Sequence, residues 1–139
     1  MVTFLTTYSI APGLSYCVHP HHRNRMRGKS QWTIGANEER DVFVSAKTQN
    51  WIQSSEGWGL HIVGGCVAYV GIAQDHARQL FVAKFVNGNQ NQFWHGYPAD
   101  HQRHAQDIPS EFVLRRWLVG GLLPPQKIAK LQRGKPCSL

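Results

Sequence analysis

A chain of 139 residues is long enough to bury one core without covalent staples and too short for two ordinary domains. With 42% hydrophobic and 17% charged residues it is not a disordered chain, and three dispersed cysteines (Cys17, Cys66, Cys137) do not form a disulfide framework. The formal charge of +7 is uneven: Arg23, Arg25, Arg27 and Lys29 precede the first acid, all eight acids fall between Glu38 and Glu111, and Arg115, Arg116, Lys127, Lys130, Arg133 and Lys135 follow the last.

No apolar run reaches the roughly 18 residues that span a bilayer. The nearest, Leu60 to Ala73, carries His61 and three glycines. The chain therefore reads as a cytoplasmic protein with no membrane partner.

Residues 1–29 mix Ser, Thr, Pro and Gly with the run Cys17-Val-His-Pro-His-His22 and a basic tract, and no period persists. They predict a flexible, basic, His-rich arm, or one weak strand near Thr3–Ile10. Met26 is a candidate internal start, which would make residues 1–25 an extension. From Ser30 onward a single α+β domain is expected. Gln31–Ile34 reads as a short strand, Asn37–Arg40 as a polar turn, and Asp41–Ala46, rich in β-branched and aromatic residues, as a strand. Residues 47–59 read as an irregular loop or a single helical turn.

The clearest strand signal covers residues 59–86. Gly64-Gly65 interrupts it. The apolar run Cys66–Ile72 predicts a strand covered on both faces, with Cys66 as packing. Gln79–Val86 then returns as its antiparallel partner at the centre of the sheet, with Phe81, Ala83 and Phe85 on one face. Asn87-Gly88-Asn89 is a turn signal. Pro109 or Ser110 opens a helix with the apolar stripe Phe112, Val113, Leu114, Trp117 and Leu118, which Gly120-Gly121 stops. Pro124-Pro125 opens a second helix with Ile128 and Leu131 inward, closed by Gly134 and Pro136. The expected architecture is a small, mainly antiparallel sheet over residues 31–86 packed against a C-terminal two-helix hairpin over 109–133.

Between sheet and hairpin lies a seam, residues 93–104, with His95, Asp100, His101, Arg103 and His104 among Trp94, Tyr97 and Pro98. Imidazoles pass protons near neutral pH and a cation can hold a phosphate, so His95, His101 and Arg103 form a candidate ribonuclease set. The structural alternative is an aromatic plug tying sheet to helices. Asp100 and His104, at i and i+4 on a helical turn, could ligate a metal or simply hydrogen-bond. Cys17, His19, His21 and His22 have metal affinity by type, but adjacent His21 and His22 point apart, so no metal site and no cofactor is assigned. Phosphate-loop, dinucleotide, HExxH and GxSxG motifs are absent.

Two basic ends predict a polyanionic partner, and the leading expectation is a small basic protein that binds nucleic acid or a nucleoprotein complex. Arg115, Arg116, Lys127, Lys130 and Arg133 would contact phosphates, with Trp94, Tyr97 and His95 as the specific patch. Two alternatives stand beside it. One is a toxin-like ribonuclease, with activity peaking between two pKa values. The other is a protein-interaction module of the inhibitor or immunity type, with a protein partner on the aromatic seam.

Overall fold

The computed structural model describes residues 3–88 and 92–139. It is α+β: a mainly antiparallel sheet with three helices, two of them near the C-terminus. Strands β1 (Thr6–Ala11) and β2 (Leu14–Val18) form a hairpin, and β3 (Gln31–Trp32) leads into α1 (Ala36–Thr48). Next come β4 (Ile52–Gln53), β5 (Glu56–Val63), β6 (Cys66–Ala68), β7 (Gly71–Ile72), β8 (Gln79–Leu80), β9 (Val82–Val86) and β10 (Phe93–Ala99), then α2 (Glu111–Val119) and α3 (Pro125–Gln132). The main sheet runs β1-β2-β10-β9-β5-β4 with β6 on β5, and a small second sheet runs β3-β7-β8. Every pairing is antiparallel except β2 with β10.

The segment expected as a loose arm is built into the sheet. Tyr16, Cys17 and Val18 of β2 are buried, and Tyr16 packs on Phe43 and Phe85 at ring-centroid distances of 4.9 and 5.7 Å. The strand expected at Asp41–Ala46 is instead the middle of α1. Glu39, Val42, Phe43 and Ala46 are buried, a helical i, i+3, i+4, i+7 stripe that overrides the local β preference of Val-Phe-Val. Glu38 helps start this helix by accepting the Gly35 N–H at 3.1 Å.

The hairpin expected from Cys66–Ile72 with Gln79–Val86 is also redistributed. β5 turns at Gly64-Gly65, both at positive φ (59° and 81°), and pairs with the short β6 in a two-residue-loop hairpin. Cys66 is therefore exposed at that turn rather than packed inside. β9 is central, between β10 and β5; Ala83 and Phe85 share its core face, while Phe81 falls between strands. The turn expected at residues 87–89 lies partly outside the described residues.

The helical hairpin follows its local signals. Ser110 Oγ accepts the Val113 N–H at 3.3 Å, Pro125 sits in the first turn of α3, and Gly121 and Gly134 take φ of 72° and 65° at the two helix ends. Val113, Leu114, Trp117, Ile128 and Leu131 join the single core, where Trp117 meets Trp51 edge to face at 5.8 Å. Among the described residues no helix is long and apolar enough to cross a membrane.

Candidate nucleic-acid interface

Most of the seam is not a turn but β10, a strand beside the centre of the sheet. Its alternation buries Trp94, Gly96 and Pro98 and leaves His95 and Tyr97 half-buried on the opposite face. Gly96 is required there, since a Cβ would lie 2.4 Å from Phe85 Cδ1. Pro98 is tolerated because β2 reaches only Phe93 and Trp94, so β10 has lost its second main-sheet neighbour by then.

The parallel β2–β10 pairing brings two histidine groups together. β2 runs into a 3-10 turn at Pro20–His22, which lays His19 beside His95 (5.4 Å between ring centroids) and His22 flat against Tyr97 (5.2 Å, 19°). His21 meets His19 edge-on at 4.8 Å, and Phe4 lies against both His19 and His95. His22 Nδ1 is 2.8 Å from the Ser30 carbonyl. A carbonyl only accepts, so Nδ1 carries the proton and the Nε2 lone pair is left free. Burial pushes the His22 imidazole down to about 4, and burial also lowers His19 and His95. All three rings are thus held toward the neutral form.

Below this stack the polar groups are fixed. Tyr97 OH donates to Asp107 Oδ1 at 2.8 Å, and Asp107 Oδ2 accepts the Asp100 N–H at 2.9 Å. Burial first, then Asp107, raises the Tyr97 phenol above its ordinary value. Asp100 is itself taken by a two-pronged pair with Arg78, at 3.0 and 2.6 Å. Ser30 Oγ donates to the Pro98 carbonyl at 2.8 Å and pins the basic segment to the strand.

Beside the His22–Tyr97 stack opens a cleft of about 340 Å³, whose lining includes Lys29, Ser30, Gln74 and His104. That volume is at the lower end of small-ligand sites. Turned so that its oxygen faces the guanidinium, the Gln74 amide accepts from Arg103 at 3.0 and 3.2 Å, and its other end lies 3.4 Å from His104 Nε2. No family model, curated protein or solved structure matches this chain.

The expected catalytic trio is dispersed. His95 faces His19 and Phe4, His101 Nε2 is bonded to the Lys135 carbonyl at 2.7 Å, and Arg103 is exposed beside Gln74. Trp94 does not offer a stacking surface: at 3% exposure it is enclosed between Phe43 and the Lys47 ammonium. Tyr97 does border the cleft, though its ring already carries His22. The expected phosphate contacts divide in two. Arg115 pairs with Glu111, and Arg116 lies over Phe112 and toward the Gln49 carbonyl. On α3, Lys127 reaches the Leu139 carbonyl at 3.1 Å, and Lys130 and Arg133 are exposed. Among the described residues no three His, Cys, Asp or Glu side chains come together as a metal-holding cluster. Cys17 accepts from Thr7 Oγ1 instead.

The residues that sequence reasoning passed over are Ser30 and Gln74; it marked Lys29 only as part of a basic tract, and it did not join His22 to His104. Each histidine run was visible; their meeting depends on strands far apart in the chain.

Proposed function

We propose that the protein binds single-stranded nucleic acid across this cleft. The observation that carries the reading is a set of basic and imidazole side chains at and beside the cleft. Lys29 and His104 line the cleft, Arg103 stands beside it through Gln74, and His101 is tied to Lys135, whose own N–H returns to Lys130 on α3. Arg25 and Arg27 are exposed in the loop before Lys29. Two carboxylates share the lining and both are engaged, Asp100 in an ion pair with Arg78 and Asp107 by Tyr97 and a backbone N–H. A phosphodiester chain would follow the cations, and a base would enter the cleft beside imidazole and phenol rings. A duplex has no unpaired base to offer it.

The reading is tested by fluorescence anisotropy with labelled 12-nucleotide RNA, its DNA equivalent and a duplex at stepped salt. Single strands are expected to bind more tightly than the duplex, with affinity falling steeply as salt rises. Lys29→Gln and Arg103→Gln should each weaken binding several-fold and flatten the salt slope by about 0.7, the contribution of one phosphate contact on a single strand. Arg115→Gln should change little. Affinity indifferent to ionic strength, or equal loss in all three variants, would overturn the reading.

A second reading, a protein-interaction module, is favoured by a different surface. Val119 (82% exposed) and Ile62 (42%) are uncovered near Arg115 and Arg116, which suits an acidic, apolar protein segment. Such a partner would remain bound in nuclease-treated extract and be lost on Val119→Asp.

A further inference from the structure

The inference rests on the nucleic-acid reading and adds a reaction to it. We propose that the cleft cuts RNA by internal transesterification, with His22 as general base, His104 as general acid and Lys29 beside the scissile phosphate. In that step His22 Nε2 takes the proton of a ribose 2′-hydroxyl. The 2′-oxygen forms a bond to phosphorus as the bond from phosphorus to the 5′-oxygen breaks. The departing 5′-oxygen receives a proton from the His104 imidazolium. The products are a 2′,3′-cyclic phosphate and a free 5′-hydroxyl, and no co-reactant is consumed. Exchange with water returns both rings to their starting states.

Three observations support these roles. First, His22 and His104 lie far apart in the chain yet line one cleft of about 340 Å³, so that a base and an acid border the same bound phosphodiester. Second, each ring is held by one nitrogen. His22 Nδ1–H is bound to the Ser30 carbonyl at 2.8 Å, which leaves the Nε2 lone pair, and His104 Nε2 rests 3.4 Å from the Gln74 amide, which turns its oxygen from Arg103 to that nitrogen when the imidazolium forms, leaving Nδ1–H for the departing oxygen. Third, Lys29 lines the same cleft with Arg103 at its edge, so positive charge stands where the pentacoordinate phosphorus gathers negative charge. The ring of Tyr97 fixes the plane of His22, and its hydroxyl is fixed in turn by Asp107. Burial keeps His22 unprotonated at neutral pH, and an incoming phosphodiester, being anionic, raises its basicity.

The test uses the full chain and a 5′-fluorescein 12-nucleotide RNA, with an otherwise identical strand lacking the 2′-hydroxyls. Cleavage is followed on denaturing gels, fragment ends by mass spectrometry, and binding by anisotropy on the same samples. The expected result is fragments ending in a 2′,3′-cyclic phosphate, while the deoxy strand is bound but intact. His104→Gln and His22→Asn should each slow cleavage at least about 100-fold, and Lys29→Gln about 10-fold or more, with RNA still bound. His22 is packed on Tyr97 and its replacement could disturb folding; His104 is half-exposed, and its variant keeps the test decisive if melting is unchanged. RNA that is bound but never cut overturns the cleavage and leaves the binding reading standing. Cutting at equal rates by wild type and His104→Gln overturns it as well, and no binding of either strand overturns both.

Discussion

Glu39 is a fully buried carboxylate held by two partners from the N-terminal segment. Arg23 reaches Oε1 through Nε and Nη2, at 3.0 and 2.7 Å, and Tyr16 OH donates to Oε2. Burial raises the Glu39 carboxyl and the two partners lower it, with burial the larger effect. Removing the carboxylate leaves a guanidinium with 16% exposure and a buried phenol unpaired. Glu39→Ala is therefore expected to cost about 3–5 kcal/mol, and Glu39→Gln less, because an acceptor remains. Urea denaturation followed by tryptophan fluorescence measures both; a loss below about 1 kcal/mol for the alanine variant would contradict the account. The same pairing explains why the basic tract was only partly legible. Its arginines looked equivalent in sequence, but Arg23 is structural and Arg25, Arg27 and Lys29 remain open. Trp94 was misread for a similar reason: its chemistry suits a stacking surface, but its side is set by the phase of a strand whose neighbours are distant in sequence.

At the scale of elements, legibility followed the range of the forces involved. The C-terminal hairpin was readable because its proline starts, serine cap and glycine stops are local. Helix α1 was not, because Val42-Phe43-Val44 prefers a strand until Glu39 and Ala46 complete a helical stripe against the sheet. The β2–β10 pairing, which builds the cleft, has no local signature. Close backbone approach also holds β10 against β9, and it divides the glycines into two kinds. At Gly96 a Cβ would meet Phe85 Cδ1 at 2.4 Å and the Lys84 carbonyl at 2.7 Å, whereas at Gly64 it would meet nothing, the constraint being φ of 59° alone. Gly96→Ala should cost more than about 2 kcal/mol and Gly64→Ala about 1 kcal/mol. Equal urea midpoints for the two variants would contradict the packing described for β10.

Across the whole molecule, the neutral imidazoles couple stability to pH. His22 has a folded value near 4 against an ordinary 6.5. The unfolded chain therefore takes up a proton below about pH 6.5 that the folded chain refuses until about pH 4. The stabilisation is complete above the unfolded value and is lost as pH falls through that window. At about 1.4 kcal/mol per unit it amounts to no more than about 3.5 kcal/mol, and burial of His19 and His95 adds to it with the same sign. Urea midpoints should fall between pH 7 and pH 4.5, with a shallower fall in His22→Asn; an unchanged slope in that variant would contradict the assigned burial. Over the same molecule, exposed basic side chains stand in the 25–29 loop, at Arg103 and at the end of α3, and others stand on α2.

The central claim concerns which of these regions meets nucleic acid, and amide chemical-shift mapping of the ¹⁵N-labelled chain during titration with a 12-nucleotide single-stranded RNA tests it most directly. The account predicts shifts concentrated at Lys29, Ser30, Gln74, Tyr97, residues 101–104 and Lys135, reversed by added salt. Shifts confined to Arg115, Arg116 and Val119, or none at all, would contradict it.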